Sequence, residues 1–487
     1  MPRPSAPRPR CARVLAGLGV ALAVACAPRE EPRRPDVFLF VVDTLRADRL
    51  GCYGYPRPTS PNLDRLAAEG ALFLDANAQC SWTKPSMVSL FQGRYVTQYR
   101  DVFDEDAPTL AEVLQAAGYR TLGVVGNVLL AERTGFGRGF DHYDARRNPA
   151  RDRRPGEPDR PVDVLVRDLW PEIGALAAAG DERPPLFVYV HAMDPHHPYL
   201  EHPELDGELP LDGAPPLAEW QRARFAELGP EPAEDDPDWR AAWREMQLLR
   251  GLYDREVRFT DAGIGRMLER LRAAGLLEHA LVAVVADHGE VLFDQATLKP
   301  ESDLARLAPD EFFHREHGSF LYQSLIGTPF LLRGAGVPRG VRVAEPVENV
   351  DLFPTLLELL DLPAPPGLHG RSLVGALHGR APAREAVHAF VMQNVSVREV
   401  ASGLKLTLPT PVGETLGARP TLFDLGADPG ETRDLAAERP GDVERLRARI
   451  EAWRAAHPTV SSLKRPLDER EFEDLREMGY VGEDEED

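Results

Sequence analysis

With 487 residues, the chain is long enough to build one large α/β core and a smaller domain. Its composition, 43% apolar and 28% charged, is that of a globular protein. Its formal net charge of -21 argues against nucleic acid as a partner, because binding to a phosphate backbone needs a basic surface. An anionic substrate must therefore be attracted by local positive charge.

The N-terminus is typical of an export signal. Arginines precede an apolar run over residues 14–25, which is shorter than the roughly 20 residues of a membrane span, and Cys26 follows small residues. We expect 1–25 to be a lipoprotein-type signal peptide, with lipidated Cys26 holding the protein to a membrane in the periplasm or at the cell surface. Residues 26–35 would form a linker. Simple secretion and an uncleaved anchor are the alternatives.

Strand and helix patterns then alternate along the chain. The predicted strands are Val37–Val42, Thr121–Val125, Leu186–Val190, Leu281–Ala286 and Thr328–Leu332. The predicted helices are Pro61–Ala71, Thr109–Ala117, Trp239–Ala274 and Arg439–Ala456. This alternation favours an α/β fold with a doubly wound, mostly parallel sheet flanked by helices.

The same patterns divide the chain into regions. The catalytic domain is expected over 36–384, and a small C-terminal α+β subdomain over 385–460, followed by an acidic tail over 461–487. Three insertions interrupt the catalytic domain, near 146–163, 201–238 and 292–313. The second insertion is acidic and rich in proline, and we expect it to form either a solvent-exposed loop or a wall over the site.

Two predicted strands end in residues that can bind a cation. Asp43 follows the first strand, and Asp287 and His288 follow the strand that ends at Ala286. Ligands bind beyond the carboxyl ends of strands in open α/β sheets, so these residues point to one crevice. Two carboxylates and an imidazole suit one divalent cation, Mg²⁺, Mn²⁺, Ca²⁺ or Zn²⁺. Such an ion would activate a hydroxyl that attacks a phosphate or sulfate ester.

The chain resembles the sulfatase family of the alkaline phosphatase superfamily in a series of ordered segments. They read VVDTLRADRLGCYGY, PNLDRLAAEGALF, TLAEVLQAAGYRT, DHGE, HGSFLYQSLIGTPFLLRGAG and LFDLGADPGETRDL. The resemblance runs from Asp36 to about Trp453. It implies a hydrolase of ester bonds, the doubly wound fold, and a metal held by Asp43, Asp287 and His288. It places the nucleophile, which would also be a metal ligand, at Thr83 in SWTKPSMVSL.

Threonine at this position departs from the sulfatase pattern. Sulfatases mature a Cys or Ser here to formylglycine, whereas Thr83 is neither, and Cys80 lies three residues too early. No formylglycine is therefore expected. Thr44, Met87 and Asn127 also replace the aspartate, arginine and lysine of the sulfatase pattern. A threonine nucleophile resembles the phosphoester-cleaving and phosphoryl-transferring relatives in the superfamily.

Further side chains are candidates for contacts to the ester. Asn127 could donate to a non-bridging oxygen, although a turn asparagine is an equal reading. By resemblance, His196 in HAMDPHHPY is a general acid or anion contact, and His317 faces the substrate anion. Alternatively, Asp194, His196 or His197, and His317 bind a second cation.

The neighbouring residues have simpler interpretations. His191 is interpreted as a packing or surface histidine, Lys84 as an exposed, solvated side chain, and Ser86 as a cap at a helix start. Cys52 and Cys80 either pair in an oxidising compartment or stay as free thiols.

These observations predict a metal-dependent esterase. Thr83 would displace an alcohol from an anionic phosphate or sulfate ester, and water would resolve the covalent intermediate. Three alternatives stay open: a transferase that passes a phosphoryl group to another alcohol, a true sulfatase, and a non-catalytic binding lipoprotein on the same fold.

Overall fold

The structure is a computed structural model. It describes residues 33–96, 103–145, 161–211, 237–292, 317–380 and 384–457. The predicted signal peptide, Cys26, the acidic tail and most of the three insertions lie outside the described residues, and the domain boundaries stay predictions. Within the described ranges, no helix is long and apolar enough to cross a membrane.

In the described part of the chain, nine strands form one large sheet. They are β1 (Val37–Val42), β2 (Ala71–Asn77), β3 (Arg120–Val125), β4 (His142–Asp144), β5 (Leu186–Ala192), β6 (Leu281–Ala286), β7 (Gly327–Arg333), β8 (Val341–Val343) and β9 (Val347–Glu348). Their order is β4-β3-β5-β1-β6-β7-β2-β8, and β9 pairs with β2. The pairs are parallel except that β7 runs antiparallel to both β6 and β2.

Helices accompany these strands. They are α1 (Pro61–Glu69), α2 (Thr83–Gln92), α3 (Leu110–Ala116), α4 (Val162–Ala178), α5 (Pro237–Ala273), α6 (Gln323–Ile326), α7 (Leu352–Leu359) and α8 (Val374–Leu377). The start of α3 is fixed by a capping box between Thr109 and Glu112.

Two buried clusters show that the sheet is covered on both faces. Alternate residues of β1 enter different clusters: Leu39 belongs to one, with side chains of α2, α3 and α7, and Phe40 to the other, with side chains of α1, α4 and α5. This division follows from the two-residue period of a strand, and a strand buried on both faces is apolar throughout. The predicted doubly wound, mostly parallel fold is confirmed.

The C-terminal part is a small antiparallel sheet with helices. Its strands are β10 (Ala386–Phe390), β11 (Asn394–Glu399), β12 (Leu404–Pro409) and β13 (Thr421–Asp424), and they pair in sequence order. The short α9 (Pro411–Thr415) follows β12, and α10 (Pro440–Ala456) packs Leu446, Ile450 and Trp453 against the sheet. The predicted C-terminal α+β unit therefore has this form.

Helix α1 ends earlier than predicted. The helix predicted to reach Ala71 ends at Glu69, because Gly70 turns the chain into β2. A Cβ at Gly70 would lie 2.0 Å from the carbonyl oxygen of Leu332.

Of the two alternatives for Cys52 and Cys80, the structure shows free thiols, and burial raises the pKa of each to about 12.

Candidate active site

The candidate site lies at the carboxyl ends of β1, β5 and β6. The register aligns Val42 with Ala192 on one side and with Ala286 on the other, so the residues that follow meet at one edge of the sheet. The backbone N–H of Asp43 continues this ladder by donating to Ala192 at 2.8 Å. Sheet register thus brings together Asp43 and Asp287, which lie more than 240 positions apart in the sequence.

Helix α2 supplies the candidate nucleophile. Thr83 is its first residue and is completely buried, and its Oγ1 lies 3.2 Å from Nε2 of His288. The Ser86 hydroxyl, predicted to cap this helix, instead donates to the Asp287 carbonyl at 2.5 Å. That prediction was wrong because α2 begins three residues before Ser86. The bond ties the first turns of α2 to the end of β6.

His288 presents one ring nitrogen to the site. Its Nδ1 lies 2.9 Å from the Gly289 carbonyl, to which it donates in the tautomer that leaves Nε2 as an acceptor. Burial is the main cause that lowers the pKa of His288 to about 4, which keeps the ring neutral. Nε2 lies 3.8 Å from Oδ1 of Asp43 and 3.5 Å from Oδ2 of Asp287.

The two carboxylates are held by different donors. Oδ1 of Asp287 accepts the backbone N–H of His288 at 2.8 Å and that of Thr44 at 3.2 Å. Oδ2 of Asp43 accepts Nδ2 of Asn127 at 2.8 Å. Thr44 reaches this geometry with a left-handed φ of 54°, a strained conformation for threonine.

The remaining oxygen of each carboxylate is buried and, among the described residues, has no hydrogen-bond partner. These atoms are Oδ1 of Asp43 and Oδ2 of Asp287. Burial, followed by the charge of Asp287, raises the pKa of Asp43, and burial raises the pKa of Asp287 to about 7. Facing buried carboxylates are unfavourable unless a cation balances them. The donor set of carboxylates, imidazole and hydroxyl therefore fits a divalent cation.

One ligand candidate was missed in the sequence. Asp43, His191 and Asp287 each offer one ligand atom, and these atoms lie within 4.8 Å of one another. His191 lies on β5, where a histidine in an apolar strand is interpreted as a packing residue. Its place next to the strand end is the signal that could have identified it.

Asn127 follows the end of β3 and has the contact of a turn asparagine, one of its two predicted interpretations. Besides its bond to Asp43, its Oδ1 accepts the backbone N–H of Leu129 at 2.9 Å. The amide thus orients a candidate ligand, a contact that the sequence did not indicate. Lys84 was predicted to be exposed but is only 5% exposed, because α2 is buried along its whole length.

Histidine rings lie beside the carboxylates. The His317 ring is 4.6 Å from that of His288 and 5.0 Å from that of His196 between centroids. Burial, followed by the charge of His196, lowers the pKa of His317 to about 3. Its neutral ring places Nδ1 3.2 Å from each carboxylate oxygen of Glu290, a contact that the sequence did not predict.

The C-terminal sheet holds the segment that follows His317, because the Asn394 side chain donates a hydrogen bond to the Ser319 carbonyl at 2.8 Å.

Asp194, proposed for a second cation, has another role in the fold. Both its oxygens accept the backbone N–H of Val162 at 3.2 Å, at the start of α4. Burial, followed by the charge of Glu256, raises its pKa to about 7. Over the described ranges, the group of acidic and histidine side chains close enough to share an ion is the one at Asp43, and it does not include Asp194.

The fold and the site together define a doubly wound α/β protein with a candidate cation site at the carboxyl ends of its strands. Residues 35–362 match the family model named Sulfatase, and the chain belongs to the sulfatase family. This membership confirms the predicted family and the prediction of a hydrolase that acts on ester bonds.

Characterised relatives cover most of the chain. It is 24% identical to an ulvan-active sulfatase of Formosa agariphila over 76% of this chain and 69% of that protein. It is 28% identical to human iduronate 2-sulfatase over 74% of this chain and 76% of the relative. A solved phosphonate monoester hydrolase of Agrobacterium radiobacter shares the fold, with a TM-score of 0.65, 20% identity, and coverage of 87% of this chain and 96% of the other.

Proposed function

We propose that the protein is a metal-dependent hydrolase of phosphate or sulfate esters in which the Thr83 hydroxyl is the nucleophile. The observation that carries this proposal is the position of Thr83 Oγ1, buried at the start of α2 and 3.2 Å from Nε2 of His288. Asp43 and Asp287 each place a carboxylate oxygen near the same imidazole nitrogen, at 3.8 and 3.5 Å. The Ser86 hydroxyl donates to the Asp287 carbonyl, which leaves the Thr83 hydroxyl to face these groups.

The residues suggest how the reaction proceeds. A divalent cation held by Asp43, Asp287 and His288 would lower the pKa of the Thr83 hydroxyl and neutralise the ester anion. We propose the Asp287 carboxylate as the acceptor of the Thr83 proton, because the Thr83 side chain is among the groups that act on the pKa of Asp287. The N-terminal end of α2 carries the positive end of the helix dipole, which favours the negative charge that develops on Thr83 and on the ester.

In the proposed reaction, one ester bond is exchanged for a bond to Thr83. Oγ1 of Thr83 forms a bond to phosphorus or sulfur, while the bond from that atom to the alcohol oxygen breaks. His196, a buried histidine, supplies a proton to the leaving oxygen, and the neighbouring His317 ring contacts the ester anion. A water molecule then attacks the phosphoryl or sulfuryl group on Thr83 and restores the hydroxyl.

The substrate and the location are part of the proposal. Relatives are named for ulvan and for iduronate 2-sulfate, and a structural neighbour for phosphonate monoesters. An anionic ester is therefore the proposed substrate. We further propose that the protein is exported and held to a membrane through lipidated Cys26.

A substrate panel with matched variants tests the nucleophile. Purified protein is assayed on an aryl sulfate, a phosphate monoester, a phosphate diester and a phosphonate monoester, each with Mg²⁺, Mn²⁺, Ca²⁺ or Zn²⁺. Thr83→Ala should lower kcat by ~10⁴-fold or more, as loss of a nucleophile does in other hydrolases, and Thr83→Ser should retain part of the activity. Ser89→Ala is the matched control, because this buried hydroxyl on the same helix has no hydrogen-bond partner among the described residues.

The outcomes separate the alternatives. Mass spectrometry of acid-quenched enzyme should find a phosphoryl or sulfuryl group on Thr83. Sulfate or phosphate release that survives Thr83→Ala would overturn the nucleophile assignment. Release that requires an added alcohol would indicate a transferase, and a protein with neither turnover nor a stoichiometric divalent ion would indicate a binding scaffold.

A further inference from the structure

His191 has an unusual environment for a histidine inside a strand. It is the next-to-last residue of β5 and is completely buried. Within the ranges that the structure describes, neither Nδ1 nor Nε2 has a hydrogen-bond partner. A buried polar group without a partner is unfavourable, so most such groups are satisfied by a hydrogen bond or by an ion. A histidine that only filled space would gain more from an apolar residue.

His191 lies next to the two carboxylates of the site. Its Nε2 lies 4.0 Å from Oδ2 of Asp287, and ligand atoms of Asp43, His191 and Asp287 lie within 4.8 Å of one another. The carboxylate oxygens that lack a partner, Oδ1 of Asp43 and Oδ2 of Asp287, belong to the same two residues. One cation placed among these three side chains could bind one carboxylate oxygen of each aspartate and one ring nitrogen of His191.

We propose that His191 is a further protein ligand of this cation and that it gives the site a preference for a transition-metal ion such as Zn²⁺ over Ca²⁺ or Mg²⁺. The inference rests on the proposed function, in which the site holds a cation. With His288, the site then offers two imidazoles and two carboxylates. Ca²⁺ and Mg²⁺ take oxygen ligands, whereas imidazole nitrogen suits Zn²⁺ and related ions.

Metal titrations of matched histidine variants test the proposal. The parent, His191→Ala and His388→Ala are stripped with EDTA and titrated with Zn²⁺, Co²⁺, Ca²⁺ and Mg²⁺, with metal content measured by mass spectrometry. His388 is a close control, because it is also a buried strand histidine whose two ring nitrogens have no hydrogen-bond partner among the described residues. It lies in the C-terminal sheet, stacked 4.8 Å from the Trp453 ring.

The parent should bind one equivalent of Zn²⁺ more tightly than Ca²⁺ or Mg²⁺. Loss of an outer-shell partner weakens metal binding about 10–100-fold, so loss of a ligand in His191→Ala should weaken Zn²⁺ binding at least ~10-fold. The visible absorption of the Co²⁺ form should change as well, while His388→Ala should match the parent in both measurements. His191→Gln, which is closer to histidine in size, serves if His191→Ala does not fold.

Failure of this inference differs from failure of the proposed function. Parental Zn²⁺ affinity and an unchanged Co²⁺ spectrum in the His191 variant would overturn the ligand assignment and leave the metal-dependent reaction standing. Tighter binding of Ca²⁺ or Mg²⁺ by the parent would overturn the stated preference. A parent that binds no divalent ion at one equivalent would overturn the metal dependence itself.

Discussion

Replacement of Asp287 by asparagine should stabilise the metal-free protein at pH 8. The Asp287 carboxylate is completely buried, its Oδ2 has no hydrogen-bond partner among the described residues, and it faces Asp43. An asparagine at this position is neutral, and its side-chain oxygen can still accept the N–H groups of His288 and Thr44. The substitution therefore removes an unbalanced buried charge without removing these hydrogen bonds.

The raised pKa of Asp287 gives the magnitude and the sign. Its ordinary value is 3.8, and burial raises it to about 7, a difference of about three units. At ~1.4 kcal/mol per unit, the charged carboxylate destabilises the fold by ~4 kcal/mol at pH 8. Because the pKa is higher in the folded state, the favourable contribution of the protonated group is complete below pH 3.8. It is lost as the pH rises through 7, so the benefit of asparagine should shrink between pH 8 and pH 5.

Thermal melts in EDTA at pH 5 and pH 8 provide the assay. Unfolding entropy near 2.1 cal/mol/K per residue makes 1 kcal/mol worth about 1 °C in a chain of this size, so Tm should rise by ~4 °C at pH 8. With saturating Zn²⁺ the order should reverse, because the parent gains the free energy of cation binding and the variant has lost a ligand. Asp442→Asn, at a surface carboxylate between Arg439 and Arg445, is the control and should show neither effect. A lower Tm of the Asp287 variant in EDTA at pH 8 would refute the reasoning.

Three other predictions follow from single contacts. Asn127→Ala should weaken Zn²⁺ binding ~10–100-fold with little change in Tm, because its amide orients a ligand carboxylate; unchanged affinity in a metal titration would contradict this. Lys405→Met should destabilise the protein by ~3–5 kcal/mol in a thermal melt, because Glu431 then stays buried without its ion-pair partner at 2.8 Å. Adding Glu431→Gln to the same chain should restore most of the lost stability. Asn394→Ala should lower kcat by up to ~10²-fold at unchanged metal content, because the Asn394 side chain holds the segment that follows His317. A kcat equal to that of the parent would show that the segment needs no such support.

The elements that could be predicted are those that a local sequence pattern identifies without knowledge of their partners in the fold. The bounds of β1 and β6 match the prediction residue for residue, since continuous apolar runs of six residues end there at a carboxylate. The predicted β5 ended at Val190, whereas the strand continues through His191 to Ala192. The apolar run stops earlier because His191 lies among the site residues, whereas Ala192 packs in a hydrophobic cluster. The backbone ladder continues, since it does not depend on the polarity of the side chains.

Strand β2 shows what the sequence pattern could not reveal. It carries an exposed Leu74 and the polar Asp75, so neither alternation nor a continuous apolar run marks it. Its identity as a strand comes from pairing with β7, with which it shares an antiparallel ladder across a register shift between Phe73 and Ala76. Such a partner lies more than 250 residues away, which no local pattern reports.

The site was predictable to the extent that position at a strand end implies proximity. Asp43, Asp287 and His288 were found in this way, and register explains why they meet. The contacts of Asn127 and Glu290 depend on the turns after the strands, and the burial of Lys84 depends on the elements that cover α2. These features are set by tertiary packing, and residue type alone gave the opposite expectation for Lys84.

The departures from the sulfatase pattern are consistent with one another when charge is considered. Thr44 stands where that pattern has a second aspartate, and it contributes a backbone N–H to Asp287 in place of a third negative charge. Two carboxylates already balance the two charges of a divalent cation, so a third would oppose both an ionised Thr83 and an ester anion. In a protein whose net charge of -21 repels anions, neutral imidazoles complete a ligand set without adding to that repulsion. His191 and His288 are the side chains that can do so, and a Thr44→Asp variant should therefore bind the cation more tightly and turn over its ester more slowly.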